Sequence, residues 1–324
     1  MLALIAATGA DLLLEQAGAT RTEALGRMAR AQEPFFWQVT GVMSLCPLHE
    51  IERRHGPRAG HNGIGGQAET WHPPVVHNGD GCSSRPVLES ATLRFYASSV
   101  PGNGLGAFNR DPIRIVVEGG AQDGVGKVLD CGRVVILKGL NHEGARIDGS
   151  VGKGLGYRAT GGTIIVQGNA DSRACVRLSG ADVIIGGEIA GALNDSLGNL
   201  GATANVKGFL CEYMTAERVL VVGDPGPWKC AGMTGGVLYR RLQPEFNLDW
   251  EAFQRRLAKG AQVELCPTDS GDGNHLHELI DAYIDELKLS NQTHVAQQVK
   301  ALLQEWQRNF AKVIPLHSGI CIHQ

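Results

Sequence analysis

Between residues 102 and 239 short β-branched runs follow one another, each announced by a glycine or another small residue, with no helical pattern between them. The runs span 113–117, 134–137, 163–166, 182–185, 203–206, 218–222 and 237–239. Counted from the small residue before each run (Pro112, Gly132, Gly161, Gly180, Gly201, Ala216, Gly235), the steps are 20, 29, 19, 21, 15 and 19 residues. A period of about twenty residues made of strands and turns reads as coils of a parallel β-solenoid, each burying its apolar face only by stacking on the next. A sandwich or barrel would place strands every 8–12 residues or so, joined by hairpin turns such as Asn-Gly, and the repeat lacks that signature. Glycine suits the tight corners of stacked strands, where the backbone takes positive φ or comes close to another backbone. The long step from Gly132 to Gly161 carries residues 140–148, which read as a loop bulging from one corner.

Several ordered motifs lie on this repeat: Val125-Gly126-Lys127, Val151-Gly152-Lys153-Gly154-Leu155-Gly156 and Ala159-Thr160-Gly161-Gly162. Val176-Arg177 then leads to Ser179-Gly180-Ala181, followed by Cys211-Glu212-Tyr213-Met214-Thr215 and Ala231-Gly232-Met233-Thr234-Gly235-Gly236-Val237. After the repeat come Trp306, Phe310 and Lys312-Val313-Ile314-Pro315. In this order they resemble the GXGXG domain that closes the glutamate synthase large (alpha) subunit, over roughly residues 100–315. The resemblance implies an all-β, right-handed parallel β-helix with C-terminal capping α-helices. Its glycines Gly152, Gly154, Gly156, Gly161, Gly162, Gly180, Gly232, Gly235 and Gly236 would be structural repeat positions. Two departures stand out. Ala216-Glu217 replaces a Gly-Gly pair, which implies a wider corner or one filled by a side chain. Residues 191–208 resemble an added coil, as in separately encoded relatives such as the small subunit of N-methylglutamate synthase-type enzymes.

The expected organisation is an N-terminal helical and loop segment over 1–95, the glycine-rich domain over 96–240, a helical cap over 241–315 and a disordered tail over 316–324. The first segment is the least patterned. Leu12, Leu13, Leu14, Leu25 and Met28 suggest two short helices over 10–32, and 55–86 has loop composition. His61-Asn62-Gly63 and His77-Asn78-Gly79, with Cys46, His49, His55, His72 and Cys82 nearby, offer zinc-type ligands, but their spacing fits no zinc template. They read as loop residues, and no metal site is expected.

Beyond Tyr239 the periodicity becomes helical. A short helix over 247–257 ends at Lys259-Gly260. Leu276, Leu279, Ile280, Tyr283, Ile284 and Leu287 form one apolar stripe, and Val295, Val299, Leu302, Leu303, Trp306 and Phe310 form another. These two helices are expected to fold back and cap the open end of the solenoid or to dock on a partner. His275, His277 and His294 read as polar surface residues near helix starts.

Composition narrows the function. A formal charge of -3, with no Lys/Arg cluster interleaved with aromatics along the chain, argues against nucleic acid. No run reaches the length of a membrane span, and the apolar opening lacks the basic flank of a signal peptide. Eight scattered cysteines read as reduced, which places the chain in the cytoplasm. Charged residues on the repeat, among them Arg114, Asp123, Asp130, Arg133, Arg158, Arg173, Arg177 and Asp182, form no close acid pair and read as a solvated face.

A glutamate synthase-type reaction needs an N-terminal cysteine nucleophile, an FMN-bearing barrel and closely spaced cluster cysteines. This chain opens Met1-Leu2 with its first cysteine at 46, and residues 151–156, though glycine-rich, lead into no helix as a dinucleotide fingerprint would. No catalytic, cofactor-binding or metal residue is therefore expected, and FMN and an iron–sulfur cluster would belong to partner subunits. The resemblance implies a scaffold bracing glutaminase and FMN-containing glutamate synthase-like domains. A stand-alone solenoid enzyme or carbohydrate-binding module is the alternative.

Overall fold

The computed structural model describes residues 50–53, 91–109, 113–195 and 203–316. Its β-branched runs form β2 (Ala91–Ser99), β3 (Ile113–Gly119), β4 (Arg133–Leu137), β7 (Thr163–Val166), β8 (Asp182–Ile185), β9 (Arg218–Val221) and β10 (Val237–Arg241). These seven pair in parallel, in that order, within a ten-stranded sheet. The result is a parallel β-solenoid of about seven turns, in which each coil lays one strand on the last. β1 (Glu50–Arg53) closes one edge antiparallel to β2. At the other edge β12 (Phe310–Pro315) runs antiparallel to β10, and β11 (Val263–Pro267) runs antiparallel to β12.

Both faces of β3, β4, β7, β8, β9 and β10 are buried, which is why the runs read as continuously apolar rather than alternating. Ile115, Val134, Ile164, Val183 and Val219 point into the solenoid core. Val116, Val135, Ile165, Ile184, Leu220 and Tyr239 point outward, under the helix α2 (Ser270–Leu289) and its follower α3 (Thr293–Ala301). The stripe Leu276, Leu279, Ile280, Tyr283, Ile284 and Leu287 seats α2 there. Asp269 and Asp272 close a capping box at its start, which accounts for its beginning six residues before the first apolar stripe position. Glu286 near its far end is buried between Arg114 and Arg133 of β3 and β4, so α2 runs back across the rungs.

The helices thus fold back as expected, but what they cover is the lateral face of the sheet. The end itself is closed by β12, β11 and the short helix α1 (Trp250–Arg255), whose first turn is capped by Asp249 accepting from the Ala252 amide at 2.8 Å. The reason is the outward apolar column, which runs the whole length of the stack and needs a long cover, whereas the last rung needs strand partners for its free edge. Phe310, expected on the last helix, begins β12, after a single-turn helix α4 (Trp306–Asn309).

Two further expectations change. The run 203–206 is no rung: β8 pairs directly with β9, and Val206 makes only an isolated bridge to Ala170 in a corner column with Ala121 and Val151. The insertion therefore widens one coil instead of adding another. β1 and β2 also fall in the segment read as helix and loop, although the proposed helices over 10–32 lie outside the described residues. The bulge after Leu137 is a two-stranded hairpin of β5 (Gly139–Leu140) and β6 (Arg146–Ile147). Cys131, Cys175, Cys211 and Cys230 are free, but Cys266 is disulfide-bonded, a pairing that spacing along the chain does not reveal.

Candidate functional site

The glycine motifs build a column of stacked turns at one corner of the solenoid, at 104–108, 124–128, 154–158, 173–177, 209–213 and 228–232. In every turn the first, third and fifth residues have positive φ, between 54° and 79°. The alternation swings each of their amides along the stacking axis. First-position amides donate to the next coil (Gly124 to the Lys153 carbonyl, 2.7 Å), and third-position amides donate to the previous one (Gly156 to Val125, 2.8 Å). The fifth again bonds forward, as Val128 does to Tyr157. Gly154, Gly156 and Gly232 occupy such positions.

The remaining motif glycines serve close approach. A Cβ on Gly161, Gly180 or Gly235 would lie 1.9–2.1 Å from a carbonyl oxygen of the preceding coil, and one on Gly152 would meet Asp123. Gly162 and Gly236 combine positive φ with a crowded neighbour. At the Ala216-Glu217 corner Glu217 takes that left-handed place, φ 69°. The motif leads on to β7, not to a helix.

A second place of interest lies beside the last coil, where a cavity of about 670 Å³ opens between Gly235, Gly236, the start of α2 and β12. Its polar wall is a continuous chain. The Tyr239 hydroxyl donates to Asp272 Oδ1 (2.6 Å) and contacts His275 Nδ1 (2.9 Å), while Lys312 Nζ donates to Asp272 Oδ2 (2.8 Å) and Asp269 Oδ2 (2.6 Å). An ionised Asp272 can only accept, so the Tyr239 O–H donates a hydrogen bond to it, which leaves the phenolic oxygen to accept from His275 when its Nδ1 carries the proton. In the neutral ring of that tautomer His275 Nε2 is the acceptor.

Burial pushes the Tyr239 hydroxyl far above its ordinary range, and the bond to Asp272 adds to this, so it stays a neutral donor. Burial alone would lower the Lys312 ammonium, but its bonds to Asp269 and Asp272 outweigh that and raise it. The Lys312 bond holds the Asp269 carboxyl below its ordinary value. Asp269 therefore contributes stability above the unfolded carboxylate pKa of ~3.9 that is lost as pH falls through its folded value. The chain pins α2 to β10 and β12, and it offers hydrogen bonding to a ligand.

Other charged groups are also occupied. Arg218 holds Asp182 (2.6 Å) and Glu278, and Arg256 holds Asp224 (2.9 Å) and Asp195 (2.7 Å). Arg114 and Arg133, read as part of a solvated face, are the clamp on Glu286. Among the described residues no cluster of three or more His, Cys, Asp or Glu side chains could hold a metal ion, and no helix is long and apolar enough to cross a membrane. The histidine and cysteine echoes over 46–82 lie outside the described residues, apart from the backbone at 50–53. Tyr239 and Lys312 entered the reading of the sequence only as the end of a β run and as part of a family motif, and Asp272 not at all, so none was read as a site residue. The one local signal that could have found part of the chain is the capping-box spacing of Asp269 and Asp272, which the reading of the sequence did not use.

The sequence profile of the GXGXG motif family matches residues 84–194 and again 196–316. The glutamate synthase [NADPH] large chain of Bacillus subtilis (strain 168) is 28% identical over 236 residues, which is 70% of this chain and 13% of that protein. The ferredoxin-dependent glutamate synthase of Cyanidium caldarium is 32% identical over 185 residues, 54% of this chain and 10% of that protein. That of Pyropia yezoensis is 34% identical over 180 residues, 53% and 10% respectively. The chain thus spans 10–13% of the length of these relatives.

Proposed function

This chain belongs to the GXGXG motif family, and on that premise we propose that it is a non-catalytic scaffold of a glutamate synthase-type complex, bracing a glutaminase and an FMN-containing synthase domain. The observation that carries this reading is the alignment of 70% of the chain with only 13% of a glutamate synthase large chain. The solenoid supports it mechanically. Its strands β3, β4, β7, β8, β9 and β10 are buried on both faces, and α2 is bolted to the sheet at Lys312 and at Glu286, which makes a stiff body suited to holding others in register. Flavin and iron–sulfur chemistry, with transfer of glutamine nitrogen to 2-oxoglutarate, would be supplied by those partners.

Copurification of the chain from its own cells, with identification of bound proteins, is the test. The expected catch is a flavin-containing, glutamate synthase-like chain. Purified protein that by itself converted glutamine and 2-oxoglutarate to glutamate, given an electron donor, would contradict the proposal. A second reading keeps the cavity at Tyr239 and His275 as a small-molecule site, and a crystalline ligand bonded to His275 Nε2 would favour it.

A further inference from the structure

The six turns share one backbone but not one surface. The first position holds Gly104, Gly124 and Gly154 in turns one to three, then Arg173, Phe209 and Trp228 in turns four to six, all at positive φ. Stacking these coils stacks the side chains. The Arg173 guanidinium lies over the Phe209 ring at 5.2 Å, and Phe209 stacks on Trp228 at 5.1 Å and 28°. At the fifth position Arg177 lies over Tyr213 at 5.8 Å, and Tyr213 packs over Gly232. Tyr213 and Trp228 are 55% and 51% exposed. Among the described residues Arg158 and Arg177 have no carboxylate within ion-pair distance. The nearby acids are Glu212, held by Arg173 at 3.3 Å, and Asp171, which accepts from the Ser172 amide.

We propose that the outer face of turns four to six, with Arg158, is a docking surface for an acidic protein segment. Three observations converge. A left-handed conformation costs a non-glycine residue roughly 1–2 kcal/mol, so Arg173, Phe209 and Trp228 are kept at a strained first position that Gly104, Gly124 and Gly154 occupy freely in the first three turns. Exposed Trp, Tyr and Arg in one patch is the composition that dominates binding energy at protein interfaces. Arg158 and Arg177 supply positive charge that no carboxylate among the described residues answers, which selects an acidic occupant. The formal charge of -3 on the whole chain repels a long polyanion, so a short acidic segment fits better than nucleic acid. The inference rests on the reading that the chain works by holding other chains, but not on which chains they are.

The probe is a fluorescein-labelled oligoglutamate of about twelve residues, followed by anisotropy with the full chain at low and physiological salt. An oligothymidylate of equal length and sedimentation velocity of the chain alone run beside it. Expected are salt-sensitive oligoglutamate binding, weaker oligothymidylate binding, and affinity lower by about tenfold in R158E/R177E and in W228G, with melting unchanged. W228G removes the ring while relieving the left-handed residue, so loss of binding there is not loss of fold. No oligoglutamate binding, binding indifferent to both variants, tighter binding of oligothymidylate, or a dimer abolished by W228G would each overturn the proposal. A copurification that yields no flavoprotein leaves this outcome readable, and failure here leaves that one readable.

Discussion

Turns one to three and turns four to six follow the same path with different residues, and the contrast separates what glycine does for the fold from what it leaves open for function. Gly154, Gly156 and Arg158 have φ of 70°, 62° and 54°, and Arg173, Cys175 and Arg177 have 64°, 59° and 56°. The inter-coil hydrogen bonds are the same as well, Gly156 to Val125 at 2.8 Å against Cys211 to Ala174 at 3.0 Å. The stack therefore dictates the backbone, and glycine only makes it less costly. Where side chains replace glycine, thiols fill the inside at Cys175, Cys211 and Cys230, and rings and guanidinium groups cover the outside. At the first position the first half of the column is bare glycine, and the second half carries a stacked surface.

On this account glycine is dispensable at the first position of the turns and indispensable at the corners, which cross both halves. Gly180→Ala or Gly161→Ala would drive a Cβ into a backbone oxygen and is expected to cost more than about 4 kcal/mol or prevent folding. Gly154→Ala, with nothing within 4 Å of its added Cβ, should cost only about 1–2 kcal/mol. Chemical denaturation of both variants breaks the comparison if the two losses match.

The clamp on the lower coils is next in size. Glu286→Ala strips Arg114 and Arg133 of their shared, buried carboxylate, and a loss of roughly 1–3 kcal/mol is expected because both arginines can reach water. Hydrogen exchange should show α2 loosening at its C-terminal end first.

Turn six sharpens the contrast from inside. Its second position is Lys229, fully buried, where the earlier turns have Leu105, Val125, Leu155, Ala174 and Leu210. Burial holds the Lys229 ammonium well below its ordinary pKa, so the unfolded chain binds more protons and stability rises with pH toward the unfolded value of ~10.4. Lys229→Leu should stabilise by about 1–3 kcal/mol at low and neutral pH, with the gain shrinking as pH climbs. Thermal melts across pH read this directly. The smallest effect is expected from Arg173→Gly, a change within about 1 kcal/mol, because relief of the left-handed residue offsets the entropy that glycine adds to the unfolded chain.

The framework was legible because β-branched runs and corner glycines recur with the coil, and each is local in sequence. The surface was not. Arg173 and Phe209 are 36 residues apart and touch only because one coil separates them, so a search for interleaved basic and aromatic residues along the chain passes over them. The same holds for the polar chain at the cavity, where Tyr239, Asp272 and Lys312 come from three elements. Phe310 followed the helical spacing of its neighbours, yet the free edge of β10 drew it into a strand. The insertion before Val206 mimicked a rung in composition but found β8 and β9 already paired.

The most direct measurement is a single variant carrying glycine at Arg173, Phe209 and Trp228, melted and titrated with labelled oligoglutamate in the same buffer. Retention of the parent melting temperature within a few degrees, with binding weaker by at least about tenfold, is the predicted result. A collapse of the melting temperature, or binding equal to the parent, would contradict the separation of framework from surface.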